Sequence, residues 1–289
     1  MTMNFAEKTV LITGATRGLG AKIAEHFWHA GANLILVSRT QSMLEKLREQ
    51  LFLTKMLNQT IKIFSVDLSV AAQTEKFIQH IPQKKIDVLI NNAAIQGPIG
   101  PVWENDWEKW QAALQVNLLS PVMLCRAIVP NMLQQYSGKI INLSGGGAAN
   151  VRPNFSAYAV AKAGLVRFSE ILAEEVKGHN IDVNCIAPGV MNTELLSEIV
   201  MAGKEKTGEI EFQQAQQKIL NNENSFDRAV ALCLFLASAQ SNGVTGKLIS
   251  AVWDPWHTLP TYINEIKNSD IYTLRRITPR DRDKSWGDI

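Results

Sequence analysis

At 289 residues, with 46% hydrophobic content, the chain is long enough to bury a substantial core as one large α/β domain or two smaller ones. A formal net charge of +2 and a charged fraction of 19% argue against a nucleic-acid partner, which calls for a concentrated basic face. The cysteines, Cys125, Cys185 and Cys233, are far apart and form no Cys-x-x-Cys pair; they read as small buried hydrophobes in a reducing compartment.

The N-terminal "MTMNFAEKTVLITGATRG" breaks any signal-like apolar run with charge and glycine. No stretch is expected to reach membrane-span length, so no membrane partner is expected and the expected location is the cytoplasm. Strand-length, β-branched runs follow at Thr9 to Thr13, Asn33 to Ser38, Ile61 to Val66 and Asp87 to Asn92. The series continues at Lys139 to Ser144, Ile181 to Ala187 and Gly246 to Ser250. Helix-period segments lie between them, at Leu19 to Ala30, Gln41 to Leu57, Glu108 to Gln135 and Ser156 to Lys177. Seven apolar strands alternating with helices predict a doubly wound, Rossmann-type parallel sheet covered on both faces. No linker divides it, so residues 1–250 are read as one domain and 251–289 as an extension of different character.

The turn "TGATRGLG" joins the first strand to the first helix. Gly14, Gly18 and Gly20 let a dinucleotide's phosphates approach backbone N–H groups at a helix N-terminus. The second strand ends in Ser38 and Arg39, where a carboxylate would accept from a ribose 2′-hydroxyl. With Arg17 inside the glycine turn, the paired guanidiniums favour a 2′-phosphate, hence NADP(H) over NAD(H). Asp67 is placed to contact the adenine, or else to cap a helix N-terminus. His26 and His29 share a helix face without a third ligand, so no metal is expected.

These motifs, with "NNAA" (Asn91 to Ala94), Asn117 in "QVNL", Tyr158-x3-Lys162 and "PGVMNT" (Pro188 to Thr193), resemble the short-chain dehydrogenase/reductase family in its compact single-domain branch. The resemblance covers roughly residues 5 to 250 and identifies 1–250 as an NAD(P)-binding domain. It implies cofactor contacts from Thr16, Leu19 and Leu68 beside the glycine turn and Asp67, and support from Asn91 to Ala93. Pro188, Gly189, Val190 and Thr193 would hold the nicotinamide end. In that family Tyr158 exchanges a proton with the substrate oxygen while the nicotinamide exchanges hydride with carbon. Lys162, on the same helix face, tunes the phenol and binds the ribose hydroxyls. Asn117 bends its helix and holds a relay water. The implied substrate is a small alcohol or carbonyl compound, and the implied assembly a homodimer or homotetramer.

One position departs from the family. Its usual serine, thirteen residues before the tyrosine, falls on Gly145, with Ser144 one place early. Three arrangements are open: Ser144 displaced inward, a nest of backbone N–H groups from Gly145 to Gly147, or a weak site. The rival to an active reductase is therefore a dinucleotide-binding sensor or scaffold without turnover.

Trp103, Trp107 and Trp110 form a helical stripe expected to pack in a core or subunit contact, or to wall the substrate pocket. Residues 191–222 fall where the family carries its substrate lid. The extension, with Trp253, Trp256, Trp286, Arg275, Arg276, Arg280 and Arg282, is expected to pack on the domain or on a neighbouring subunit. A weaker expectation is that its arginines bind an anionic substrate.

Overall fold

A computed structural model describes residues 3–55, 58–81, 85–220 and 226–286. Leu57 at the end of the second expected helix, positions 221 and 222 of the lid segment, and 287–289 of the extension lie outside the described residues.

The strands are β1 (Thr9–Thr13), β2 (Asn33–Ser38), β3 (Ile61–Ser65), β4 (Val88–Asn91), β5 (Gly138–Leu143), β6 (Ile181–Ala187) and β7 (Lys247–Ser250). They form one sheet in the order β3-β2-β1-β4-β5-β6-β7, and every neighbouring pair is parallel. Successive side chains point to opposite faces, so each strand feeds two layers. Val10 and Ile12 of β1 join the layer holding Phe27 and Trp28 of α1 (Gly18–His29), Leu44 of α2 (Gln41–Phe52) and Leu232 of α10 (Asp227–Ala237). Leu11, between them, faces Phe77 of α3 (Ala71–His80), Leu124 and Ile128 of α5 (Ser120–Gln135) and Leu172 of α6 (Ser156–Glu175). The remaining helices are α4 (Trp107–Leu114), α7 (Glu194–Ala202), α8 (Lys204–Thr207), α9 (Glu209–Leu220) and α11 (Ile263–Lys267). The sheet is doubly wound, and its direction of winding reverses between β1 and β4, which opens a crevice at their carboxyl ends.

The segment expected as one helix over 108–135 is α4 and α5 joined by a π-helical turn, Gln115–Leu119. Within the run Trp107–Gln135 an 18-residue window has a mean hydropathy of 1.6, so by length and composition the run reaches the span of a membrane. This corrects the expectation that no stretch does; the apolarity serves the core, since Leu124, Cys125, Ile128 and Met132 pack beneath the sheet. All three cysteines are free and buried.

Beyond β7 the chain folds back over its own domain. Leu259 and Ile266 enter the core, and Trp256 lies 5.4 Å from the Phe235 ring. Leu248 N donates to Tyr272 O at 2.8 Å, so the extension covers the outer edge of β7. Arg275 is held by Asp281 and Asp270. Trp253 and Trp286 stay exposed. Trp103 and Trp107 are exposed as well, outside this chain's core, while Trp110 anchors α4 by donating to Ser156 Oγ at 3.1 Å.

Candidate active site

The parallel strands bring the sequence-predicted residues to one edge. After β1, Gly14 takes a positive φ of +63°, and a Cβ on it would lie 2.8 Å from Ala93 Cα. A Cβ on Gly20 would collide with the Gly14 carbonyl oxygen, so α1 can start against this turn only with glycine there. Thr13 Oγ1 accepts from Asn92 N and Ala93 N, both at 3.1 Å, and Asn92 Nδ2 donates back to Thr13 O and Gly14 O. The ends of β1 and β4 are thereby locked together. No side chain caps the N-terminus of α1, whose N–H groups stay available to a phosphate.

At the end of β2, Ser38 Oγ and Thr16 Oγ1 lie 2.8 Å apart. Arg17 forms an ion pair with Glu194, which opens α7. One turn along, the Glu198 carboxyl is raised by burial and by Glu194, and both Arg17 and Arg39 pull it back down. Arg17 and Arg39 thus both act on one carboxylate of α7, and the presence of Glu194 and Glu198 beside them is what sequence reasoning missed. Asp67 accepts from Ser69 N and Ser69 Oγ and closes a local turn with them. The N-cap of α3 is Val70, so the capping alternative for Asp67 does not hold. Asn91 donates to Asn142 across the sheet at 2.8 Å, leaving its own Oδ1 buried without a partner.

Asn117 sits in the π-helical turn with both ends of its carboxamide on one residue. Its Oδ1 accepts from Ile95 N at 3.1 Å and its Nδ2 donates to Ile95 O at 2.8 Å. Tyr158 and Lys162 project from one face of α6, and both are buried. Lys162 Nζ donates to Leu143 O at 2.7 Å and lies 5.6 Å from the centre of the Tyr158 ring. Burial pushes the Tyr158 phenol up to about 12, partly offset by Arg152, and pulls Lys162 down to about 8. In the cofactor-free protein, burial therefore outweighs the expected lowering of the phenol by the ammonium.

The Tyr158 hydroxyl fills the space at Gly145. A Cβ there would collide with Tyr158 Oη and lie 3.0 Å from its Cε1. Ser144 extends the β5 ladder, donating from its N to Ile186 O, and its Oγ is buried with no partner. Ser144, Gly145, Gly146, Gly147 and Tyr158 line a cavity of about 350 Å³ closed by Pro188 to Met191, Thr193, α7 and α9. Most of its wall is apolar, including Val190, Met191, Leu196, Ile199 and Ala215. Its charged lining residues, Arg152 and Glu211, form a two-point pair at 2.8 and 2.9 Å, with Arg152 stacked on Phe155. No residue of the extension lines this cavity and neither do the tryptophans of the 103–110 stripe, among the described residues. The arginines of the extension are thus not at this site. Gln96, Asn150, Val151 and Arg152 are lining residues that the motifs did not single out; Gln96 stands two places beyond "NNAA".

The short chain dehydrogenase family profile matches residues 8–203. The chain is a short-chain dehydrogenase/reductase. A 3-oxoacyl-acyl-carrier-protein reductase from Chlamydia trachomatis is 32% identical over 84% of this chain and 95% of its own length. Dehydrogenase/reductase SDR family member 4 from Caenorhabditis elegans is 30% identical over 85% and 94%. Among solved structures, L-sorbose reductase from Gluconobacter frateurii, complexed with NADPH and L-sorbose, superposes with a TM-score of 0.74 at 27% identity, covering 86% of this chain and 97% of that one. Like its relatives, this short-chain dehydrogenase/reductase is an NAD(P)-dependent oxidoreductase. Its sheet order and helical layers are those of the family's Rossmann-type fold.

Proposed function

We propose that the chain interconverts a small carbonyl compound and its alcohol with NADP(H), using Tyr158 as proton donor and acceptor. The observation that carries the reading is the meeting of the Tyr158 hydroxyl, the unpartnered Ser144 Oγ and the buried Lys162 at one apolar cavity. The dinucleotide fits the chain's own turn: Gly14, Thr16, Gly18, Leu19 and Gly20 receive its phosphates at an uncapped helix N-terminus. Ser38, Arg39 and Arg17 would hold the 2′-phosphate, Asp67 and Leu68 the adenine, and Asn91 and Ala93 the middle of the cofactor. Lys162 would hold the ribose hydroxyls, and Pro188, Gly189, Val190 and Thr193 the nicotinamide amide. Bound there, the nicotinamide supplies or accepts the hydride. Tyr158 passes its phenolic proton to the carbonyl oxygen, and the Ser144 hydroxyl donates a second hydrogen bond to that oxygen as charge builds on it. The unpaired Ser144 Oγ supports this arrangement over the glycine nest. Lys162 favours the phenolate left behind, and Asn117 holds the floor of the site through Ile95. The NADPH complex of the Gluconobacter relative supports the cofactor preference.

The residues 251–289 act in this reading as an extension sealing β7, and the apolar side chains exposed on α6, Val160 and Ile171, suit a homodimer or a tetramer built from it. The expected location is the cytoplasm. The glycine at 145 and the raised phenol favour, as a second reading, a dinucleotide-binding sensor without turnover. Tyr158→Phe separates the readings. The reductase reading expects NADPH consumption over a carbonyl panel to fall by roughly 10³-fold with cofactor affinity kept; unchanged consumption contradicts it. Arg39→Asp should weaken NADPH binding at least tenfold relative to NADH; equal affinities before and after contradict the cofactor preference.

A further inference from the structure

Gln96 is buried, at 2% exposure, yet it lines the cavity beside Ser144 and Tyr158. Its Nε2 has no hydrogen-bond partner. A buried amide left unpaired costs about 1–3 kcal/mol, so such groups call for a reason. Gln59 provides the contrast within the same chain. It is equally buried, at 4%, and it spends its Nε2 on Trp28 O and Ala32 O at 2.8 and 3.0 Å. A glutamine that serves the fold bonds the backbone, and Gln96 does not.

The backbone on both sides of Gln96 is fixed. Ile95 before it is gripped at both its N–H and its C=O by Asn117. Gly97 after it has a φ of +71°, and a Cβ there would lie 2.7 Å from Ala113 Cβ and 3.3 Å from Ala157 Cβ. Ala157 directly precedes Tyr158 on α6, so the helix that sets the proton donor also sets the neighbour of Gln96. The backbone that carries the carboxamide is thus fixed at the cavity wall, which limits what the side chain must give up to bind a ligand.

We propose that Gln96 is a specificity residue whose carboxamide N–H donates to a second oxygen of the substrate. The substrate is then a neutral carbonyl compound carrying a hydroxyl or another carbonyl beside the reacting carbon. This deepens the reductase reading and rests on it. Neutrality follows from the charges on the wall: Arg152 and Glu211 neutralise each other through two hydrogen bonds, which leaves no unpaired cation for a carboxylate or phosphate among the described lining residues. The need for a second acceptor follows from the count of donors. Tyr158 and Ser144 serve the reacting oxygen, and the Gln96 amide is a further donor that a plain ketone would leave buried and unpaired.

The test uses a matched pair, 2-hydroxycyclohexanone and cyclohexanone, with the full-length protein and NADPH. Two readouts are taken: kcat/KM for each ketone, and the Kd of each by calorimetry in the Tyr158→Phe background, where turnover is suppressed. The unaltered protein should prefer the hydroxyketone by about 10- to 100-fold in both readouts. Gln96→Met, which keeps the length and removes the amide, should bring the preference to within about threefold. Gln96→Glu, which replaces the donor with an acceptor, should do the same. No preference in the unaltered protein, or an undiminished one in both variants, overturns the proposal. A binding preference that Gln96 controls in a protein with no turnover overturns the reductase reading alone and upholds the role of Gln96. Turnover with a preference indifferent to Gln96 does the reverse.

Discussion

The carboxyl ends of β1 and β5 meet the same crevice and treat their polar groups in opposite ways. At β1, Thr13 and Asn92 bind each other's backbone, so that the turn around Gly14 is closed on itself. At β5, Ser144 Oγ stays buried without a partner, and so does Gln96 Nε2 on the wall of the same cavity. Buried donors of that kind cost stability, and a site keeps them where a ligand will complete them. The first region is framework, and the proposed function puts substrate chemistry at the second.

Substitutions at the two ends should therefore fail differently. A large effect is expected from Gly145→Ser, which would place the family's usual serine. Because the Tyr158 hydroxyl occupies that space, the variant should lose roughly 100-fold in kcat for carbonyl reduction. A gain in turnover would mean that the glycine is a defect, and would remove Ser144 from the mechanism. Thr13→Val strips the acceptor from two backbone N–H groups and should destabilise the protein by about 2–4 kcal/mol in chemical denaturation. An unchanged midpoint would show that the lock between β1 and β4 is dispensable.

Lys162 sharpens the comparison through pH. Its folded-state value, about 8, is below the ordinary 10.5, so the unfolded chain holds the proton more tightly. Stability from this group accordingly rises as pH climbs from about 8 to 10.5, and below 8 the buried charge exerts its full cost. Lys162→Met should be inactive yet more stable at pH 7, by on the order of 2 kcal/mol, with the advantage shrinking above pH 8. A destabilised Lys162→Met at pH 7 would instead make the lysine part of the framework. In the unaltered protein, kcat/KM for reduction should decline above about pH 8 as the ammonium is lost, while Tyr158, near 12, keeps its proton.

The fold was largely legible in the sequence because its cause is local. Runs such as "TVLIT" and "IDVNCIA" are apolar on both faces, as strands buried between two helical layers must be, and β1 and β6 fall where those runs predict. The glycine turn and Tyr158-x3-Lys162 were legible for a similar reason, since each is a short spacing on one element. What stayed hidden depends on residues distant in sequence. Arg152 finds Glu211 59 positions away, and Gln96 is notable only because its buried Nε2 finds no hydrogen-bond partner. Gly145 read as a missing hydroxyl until Tyr158 was found in its place. The segment over 108–135 was legible as helix, but the length to which its apolar character runs through α4 and α5 was not. The return of Tyr272 to the edge of β7 had no sequence signal at all.

The central claim is that the unpaired hydroxyl at the end of β5 is kept for the substrate oxygen. The kcat of Ser144→Ala for carbonyl reduction tests it most directly. The account predicts a fall of about 10- to 100-fold, and a kcat within twofold of the unaltered protein would contradict it.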